Sequence, residues 1–229
     1  MSIALSIAAG SRPRRVLVLV SALAIAPLAA ASAQTSARTL ATCKADTTAE
    51  WYRNQKAFYT NPGETWTNDS MRVALLNAAG YDARAAFVPE LGWRLDLPSG
   101  GGQDAGALDM LRAMASRRQW PTRAMVGVAG VHAAWLIAQR DSALQNAAMH
   151  RMMEAGPGES SPAEVAVLED ARRIKIGRGQ IHGSQFRMES GTLVLAGKLE
   201  DSVHVDMRRE GAWLPPIAVS ACLARAAGR

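Results

Sequence analysis

The sequence predicts a mainly α protein with one small antiparallel β-hairpin near residues 180–196. Three observations lead there. Apolar residues recur at helical spacing between the turn signals, Ser161-Pro162-Ala163-Glu164 marks a helix start, and two alternating runs flank Glu189-Ser190-Gly191.

The first 33 residues read as a secretory signal peptide. Arg12, Arg14 and Arg15 precede an apolar run from Val16 to Ala30, broken by Pro27 and followed by the small residues Ala31-Ser32-Ala33. The run falls short of the ~20 apolar residues that span a bilayer. Cleavage after Ala33 would start the working chain at Gln34; an uncleaved anchor is the alternative. These residues hold three arginines and no acid, so of the chain's 26 basic and 20 acidic residues the remainder keeps 23 and 20, a net of +3. That mild excess gives no reason to expect nucleic acid or an anionic membrane surface as partner. Once cleaved, the chain is expected to carry no membrane anchor and to be periplasmic or secreted.

Taken in order, residues 34–97 form a helical amino-terminal segment. One helix is expected over Leu40–Tyr59, with Leu40, Cys43, Thr47, Trp51, Asn54 and Phe58 on one stripe, stopped by Asn61-Pro62-Gly63. Asp69 or Ser70 would cap a second, Met71–Ala79, ended by Gly80. Tyr81–Leu97 is ambiguous, with strand-like alternation from Trp93 to Leu97. A Gly-rich linker at 98–106 then separates the domain at 107–229.

In that domain a helix is expected from Ala105 to Arg118, turning Leu108, Leu111, Met114 and Ala115 inward until Trp120-Pro121-Thr122 breaks it. Arg123–Arg140 is apolar nearly all round, the pattern of a buried helix. A helix holding Ala147–Ala155 ends at Gly156-Pro157-Gly158. Next, Ser161 takes the N-cap, Pro162 the first helical position, and Glu164 reaches back to close a capping box, opening a helix to Ile176. Strands Gln180–Arg187 and Thr192–Ala196 make the hairpin. Short helices at Val203–Arg209 and Pro216–Ala226 complete the chain.

The two cysteines, Cys43 and Cys222, stand near the two ends of the exported part. In an oxidising compartment a lone pair is most simply a disulfide, with two separately buried thiols as the alternative.

From about Leu108 to Ile217 the chain resembles a bacterial family, domain of unknown function 6624. Four stretches carry the resemblance: Trp120-Pro121-Thr122 with Val126-Gly127; Ala133-Ala-Trp-Leu136 through Gln139; Gln180-Ile-His-Gly-Ser-Gln-Phe186; and Val205-Asp-Met-Arg-Arg209 with Leu214-Pro-Pro-Ile217. The chain departs from the family pattern at several places. Arg140 stands where the family commonly has His, Ser142 where an Asp follows (Asp141 is adjacent), His182 where it has Tyr, and Ala171 where it has Arg after Asp170. The resemblance supplies no activity. If the family works through that His, this member has lost or altered the activity.

The polar candidates are Gln139, Arg140, Asp170, Gln180, His182, Gln185, Arg208 and Arg209, with His132 on the apolar helix. Alternation in a strand would put Gln180, His182, Ser184 and Phe186 on one face. A His beside a hydroxyl and an amide suits acid–base work, although an ordinary exposed hairpin face fits the same residues. His132 shares a helix side with Leu136 and Gln139, as a pocket-lining residue or as a His satisfied by one buried hydrogen bond.

Other chemistries lack their signatures. His132, His150, His182 and His204 show no metal-ligand spacing, Ser184 stands in no nucleophile elbow, and Gly177-Arg178-Gly179 follows a helix rather than a strand. Arg172, Arg173, Lys175 and Arg178 make a basic run of the kind found on a solvated helix end. No cofactor is expected.

Two functions fit. The first is an exported protein binding a small ligand or a protein partner, with Arg140, Arg208 and Arg209 as cationic contacts. The second is a metal-independent enzyme with His182 or His132 as proton carrier and Asp170 and Gln185 orienting a small polar substrate. Convergence on one pocket would favour the enzyme.

Overall fold

The computed structural model describes residues 39–60, 64–80 and 105–226. The expected signal peptide, the ambiguous run at 81–97 and the linker residues 98–104 lie outside them. The fold is mainly α with one two-stranded antiparallel sheet. In chain order the elements are α1 Glu50–Tyr59, α2 Asp69–Ala79, α3 Ala105–Ser116, α4 Arg123–Gln139, α5 Ser142–Glu154, α6 Pro162–Lys175, β1 Phe186–Glu189, β2 Thr192–Leu195, α7 Val205–Gly211 and α8 Ile217–Ala226.

Helix α4 is the axle. From Val126 to Ala138 every residue is buried, which is what a segment apolar on all sides requires. Its broadest helix neighbour is α2, and α1, α3, α5 and α6 also pack on it. One core joins Leu75 and Leu76 of α2, Leu111 of α3, Trp135 and Leu136 of α4, Met149 and Met152 of α5, and Leu168 of α6. Among the described residues no helix is long and apolar enough to cross a membrane.

Several local expectations are corrected. Leu40–Tyr59 is not one helix: a helical turn at 39–42 ends before Lys44, whose φ is 53°, and α1 begins at Glu50. Asp46 makes the break by accepting the Thr48 backbone N–H at 2.8 Å and its hydroxyl at 2.7 Å. Thr47 is therefore exposed, and Gln55 rather than Asn54 turns inward. Asn68, not Asp69 or Ser70, caps α2 by accepting the Met71 N–H at 3.0 Å. Helix α5 starts at Ser142, well before Ala147, because Asp141 accepts the N–H groups of Ala143 and Leu144. The Leu144 N–H first, then the Arg112 guanidinium and the Ala143 N–H, hold its carboxyl below the ordinary value of 3.8.

The hairpin forms, but later than expected. Phe186 pairs with Leu195 and Glu189 with Thr192, around Ser190 and Gly191, which both have positive φ as a tight primed turn demands. Residues 180–185 are a loop rather than strand, so Gln180, His182 and Ser184 do not share a strand face with Phe186.

Cys43 and Cys222 form a disulfide across 179 positions, tying the residues before α1 to α8.

Candidate functional site

The first turn of α6 supplies the centre of the site. Ser161 occupies the N-cap position and Pro162 follows it, as expected, but the Ser161 side chain makes no cap bond and Glu164 closes no capping box. Glu164 is 2 % exposed and faces α4, because Ala163, Val167 and Leu168 bury the same side of α6. Burial without a partner would be costly for a carboxylate, and two side chains meet it. His132 Nδ1 lies 2.5 Å from Glu164 Oε1, and the Tyr59 hydroxyl donates to the same oxygen at 2.8 Å. The Trp135 indole N–H donates to the Glu164 backbone carbonyl at 2.9 Å, clamping the residue from both ends.

Aromatic walls hold the imidazole in place. Trp135 stacks on His132 with centroids 5.2 Å apart, and Tyr59 meets it edge-on at 5.8 Å. The Glu164 carboxylate faces the Nδ1 edge of the ring and so fixes its orientation. Three buried oxygens in the same turn, Ser160 Oγ, Ser161 Oγ and Glu164 Oε2, have no hydrogen-bond partner among the described residues. Buried polar atoms are nearly always partnered, so these three oxygens are exceptions to that rule.

A second carboxylate extends the cluster. The helical path of α4 is interrupted at Gly127, with φ 68° and ψ 170°, which frees the Val128 N–H. Glu64 Oε2 accepts that N–H at 2.8 Å, and its other oxygen pairs with Arg123 Nε at 2.5 Å. A Cβ at position 127 would come within 3.1 Å of Glu64 Oε2, so glycine serves both the turn and the close approach. The Arg123 guanidinium covers Phe58 at 5.2 Å, and Phe58 meets Tyr59 edge-on at 5.0 Å. A continuous belt thus runs from Glu64 through Arg123, Phe58 and Tyr59 to His132 and Glu164.

The other sequence candidates gather elsewhere, around Asp170, six residues or ~9 Å further along α6. Asp170 is fully buried and accepts from the N–H groups of Ile181, His182 and Ser184 and from the Ser184 hydroxyl, at 2.8 to 3.1 Å. Gln180 accepts the Gln185 N–H and donates to the carbonyls of Gln185 and Ala196, while the Gln185 amide donates to Val167 O. Arg209 is 1 % exposed and donates to the carbonyls of Pro215, His182 and Gly183 and to the Ser220 hydroxyl. Burial lowers its pKa to about 10 against the opposing pull of Asp206 and Asp170. Arg208 donates to Ile181 O and pairs with Asp201. These residues brace the loop at 180–185.

His182 lies at that loop's edge, with Nε2 3.4 Å from Glu169 Oε2 and a buried Nδ1 lacking a hydrogen-bond partner among the described residues. Arg140 donates to Ala78 O at 3.0 Å, and the Gln139 side-chain nitrogen is buried without such a partner. The structure therefore groups His132 with Tyr59 and Glu164, and groups Asp170, Gln180, His182, Gln185, Arg208 and Arg209 around the loop. Sequence reasoning missed Tyr59, Glu64 and Arg123 and placed Glu164 in a cap. Of the belt residues, the sequence singled out His132 alone as a candidate for chemistry. Among the described residues no three His, Cys, Asp or Glu side chains converge as a metal site would.

The chain belongs to the family of unknown function DUF6624, whose model matches residues 71–227. That match starts within α2, well before the stretches read from the sequence. No curated protein and no solved structure matches the chain.

Proposed function

We propose that this is an exported protein that takes a small polar molecule at the Tyr59–His132–Glu164 cluster and moves a proton there. His132 is the proton carrier and Glu164 the group that orients its ring. The observation that carries the reading is the set of three unpartnered buried oxygens, on Ser160, Ser161 and Glu164, beside a His–Glu pair. A hydroxyl or amide of a substrate would find both donors and an acceptor in that turn. Export rests on the basic, apolar and small-residue pattern of residues 12–33, and the Cys43–Cys222 disulfide is compatible with it.

A second reading, binding without chemistry, is favoured by the burial of His132 at 1 % and Glu164 at 2 % exposure. The arginines that would have contacted an anionic partner support it less, since Arg140, Arg208 and Arg209 already bond backbone carbonyls.

The test is a thermal-shift screen of residues 34–229 against sugars, amino acids, nucleotides and short peptides, with hits followed for turnover. A ligand at 100 times its Kd stabilises the fold by about 2.7 kcal/mol. The expected hit is polar, loses affinity in Ser161→Ala and loses turnover in His132→Gln. Binding without turnover leaves the second reading alone standing, and a hit indifferent to both substitutions removes both.

A further inference from the structure

About 16 Å along α6 from Glu164, at Lys175, the helix ends in a basic tip. Arg172, Lys175 and Ile176 fall at i, i+3 and i+4 and so share one side of the chain there. Gly177, with φ 74°, then turns the backbone. Its N–H donates to Ile174 O at 2.9 Å and the Arg178 N–H to Arg173 O at 2.8 Å, a Schellman ending. The Gln180 N–H donates to Lys198 O at 2.8 Å, which sets the turn at 197–198 beside Arg178.

Residues 172–178 and 197–200 hold five bases, Arg172, Arg173, Lys175, Arg178 and Lys198, against one acid, Glu200. That excess of four is larger than the +3 of all residues after Ala33, so the positive charge is segregated rather than spread. Glu200 neutralises Arg173. The other four bases form no ion pair among the described residues, and Lys175 reaches only Ser142 O, at 3.4 Å. The negative end of a helix favours cations in its last turn, which accounts for Arg172 and Lys175. It does not account for Arg178, beyond the helix, or for Lys198, from another part of the chain. Nor does it account for Ile176, which is 51 % exposed between these bases. An exposed apolar side chain flanked by unpaired cations matches a surface that is anionic outside and apolar beneath, as a lipid bilayer is. Nucleic acid fits less well, because no aromatic residue stands in either stretch to stack on bases.

We propose that this tip docks on an anionic bilayer surface. Arg172, Lys175, Arg178 and Lys198 meet the lipid phosphates, and Ile176 enters the headgroup layer.

Flotation of oxidised residues 34–229 with lipid vesicles tests this. Expected is binding to vesicles of equimolar phosphatidylglycerol and phosphatidylcholine, at least ~10-fold weaker binding to phosphatidylcholine alone, and release in about 0.5 M salt. Joint Arg178→Gln and Lys198→Gln should weaken binding about twentyfold, at about fivefold for each base near the surface, and Ile176→Ser about threefold. All three positions are exposed, and their side chains make no hydrogen bond among the described residues, so these variants keep the fold. Joint Lys44→Gln and Lys56→Gln, the same charge change at exposed positions before and within α1, should alter binding less than about twofold. Equal losses in the two double variants would reduce the effect to net charge and overturn the proposal. So would equal binding to phosphatidylcholine alone, no binding at millimolar anionic lipid in low salt, or equally strong capture of a single-stranded oligonucleotide that Ile176→Ser leaves untouched.

Discussion

Glu164 and His132, 32 residues apart, meet at 2.5 Å through one carboxylate oxygen that also accepts the Tyr59 hydroxyl. Three elements, α1, α4 and α6, are thereby joined at a single atom inside the protein. Removing the carboxylate leaves a buried imidazole N–H and a phenol O–H without their acceptor. Glu164→Ala is expected to cost about 3–5 kcal/mol in urea unfolding, with Glu164→Gln losing less because its amide oxygen still accepts a bond. A loss below ~1 kcal/mol for Glu164→Ala would show that the pair is not formed in solution.

Asp170 organises the loop between α6 and the hairpin through four hydrogen bonds. Asp170→Ala should destabilise the fold by about 2–5 kcal/mol. Amide exchange localises the effect: the Ile181, His182 and Ser184 N–H groups should lose protection ahead of the α4 core. Uniform loss across the molecule would contradict a local brace.

Gly127 and Glu64 predict a backbone effect. A methyl at 127 is strained at φ 68° and presses on Glu64 Oε2 and Trp66. Gly127→Ala should cost about 1–3 kcal/mol and shift the Val128 N–H resonance as its bond to Glu64 is disturbed. Stabilisation instead, as glycine-to-alanine changes give at ordinary helix positions, would refute the kink.

The disulfide closes nearly all the described chain into one loop. Reduction, or joint replacement of Cys43 and Cys222 by Ala, should lower stability by about 3–5 kcal/mol in the chain-entropy account. Unchanged denaturant midpoints in oxidised and reduced protein would argue against it.

Asp201 sets an acid limb. Its carboxyl is lowered from the ordinary 3.8 to about 2, first by the His204 ring hydrogen bond and then by the His204 and Val203 N–H groups and Arg208. A carboxyl with a depressed folded pKa contributes stability above its unfolded pKa and loses it as pH falls through the folded value. Tm should therefore drop between pH ~4 and ~2, and Asp201→Asn should flatten that drop. Since the side chain is exposed and screened, the change is small; an Asp201→Asn curve parallel to wild type throughout would exclude it.

What the sequence determined by itself was local. The Ser161-Pro162 helix start, the Gly80 stop, the Glu189–Gly191 turn and the all-apolar α4 each depend on residues within one or two turns of chain. The start of α5 was missed because a single Asp141 side chain, not the apolar period, decides where that helix begins. Tertiary structure alone decided which polar groups meet. Glu164 had a local alternative, the capping box, and gave it up because burial against α4 places His132 and Tyr59 within hydrogen-bond reach. Asp170, Gln180, Gln185 and Arg209 had the look of ligand contacts, yet they close backbone N–H and carbonyl groups of a non-repetitive loop. Such groups cannot be buried unpaired, and where no helix or sheet pairs them, side chains distant in sequence must.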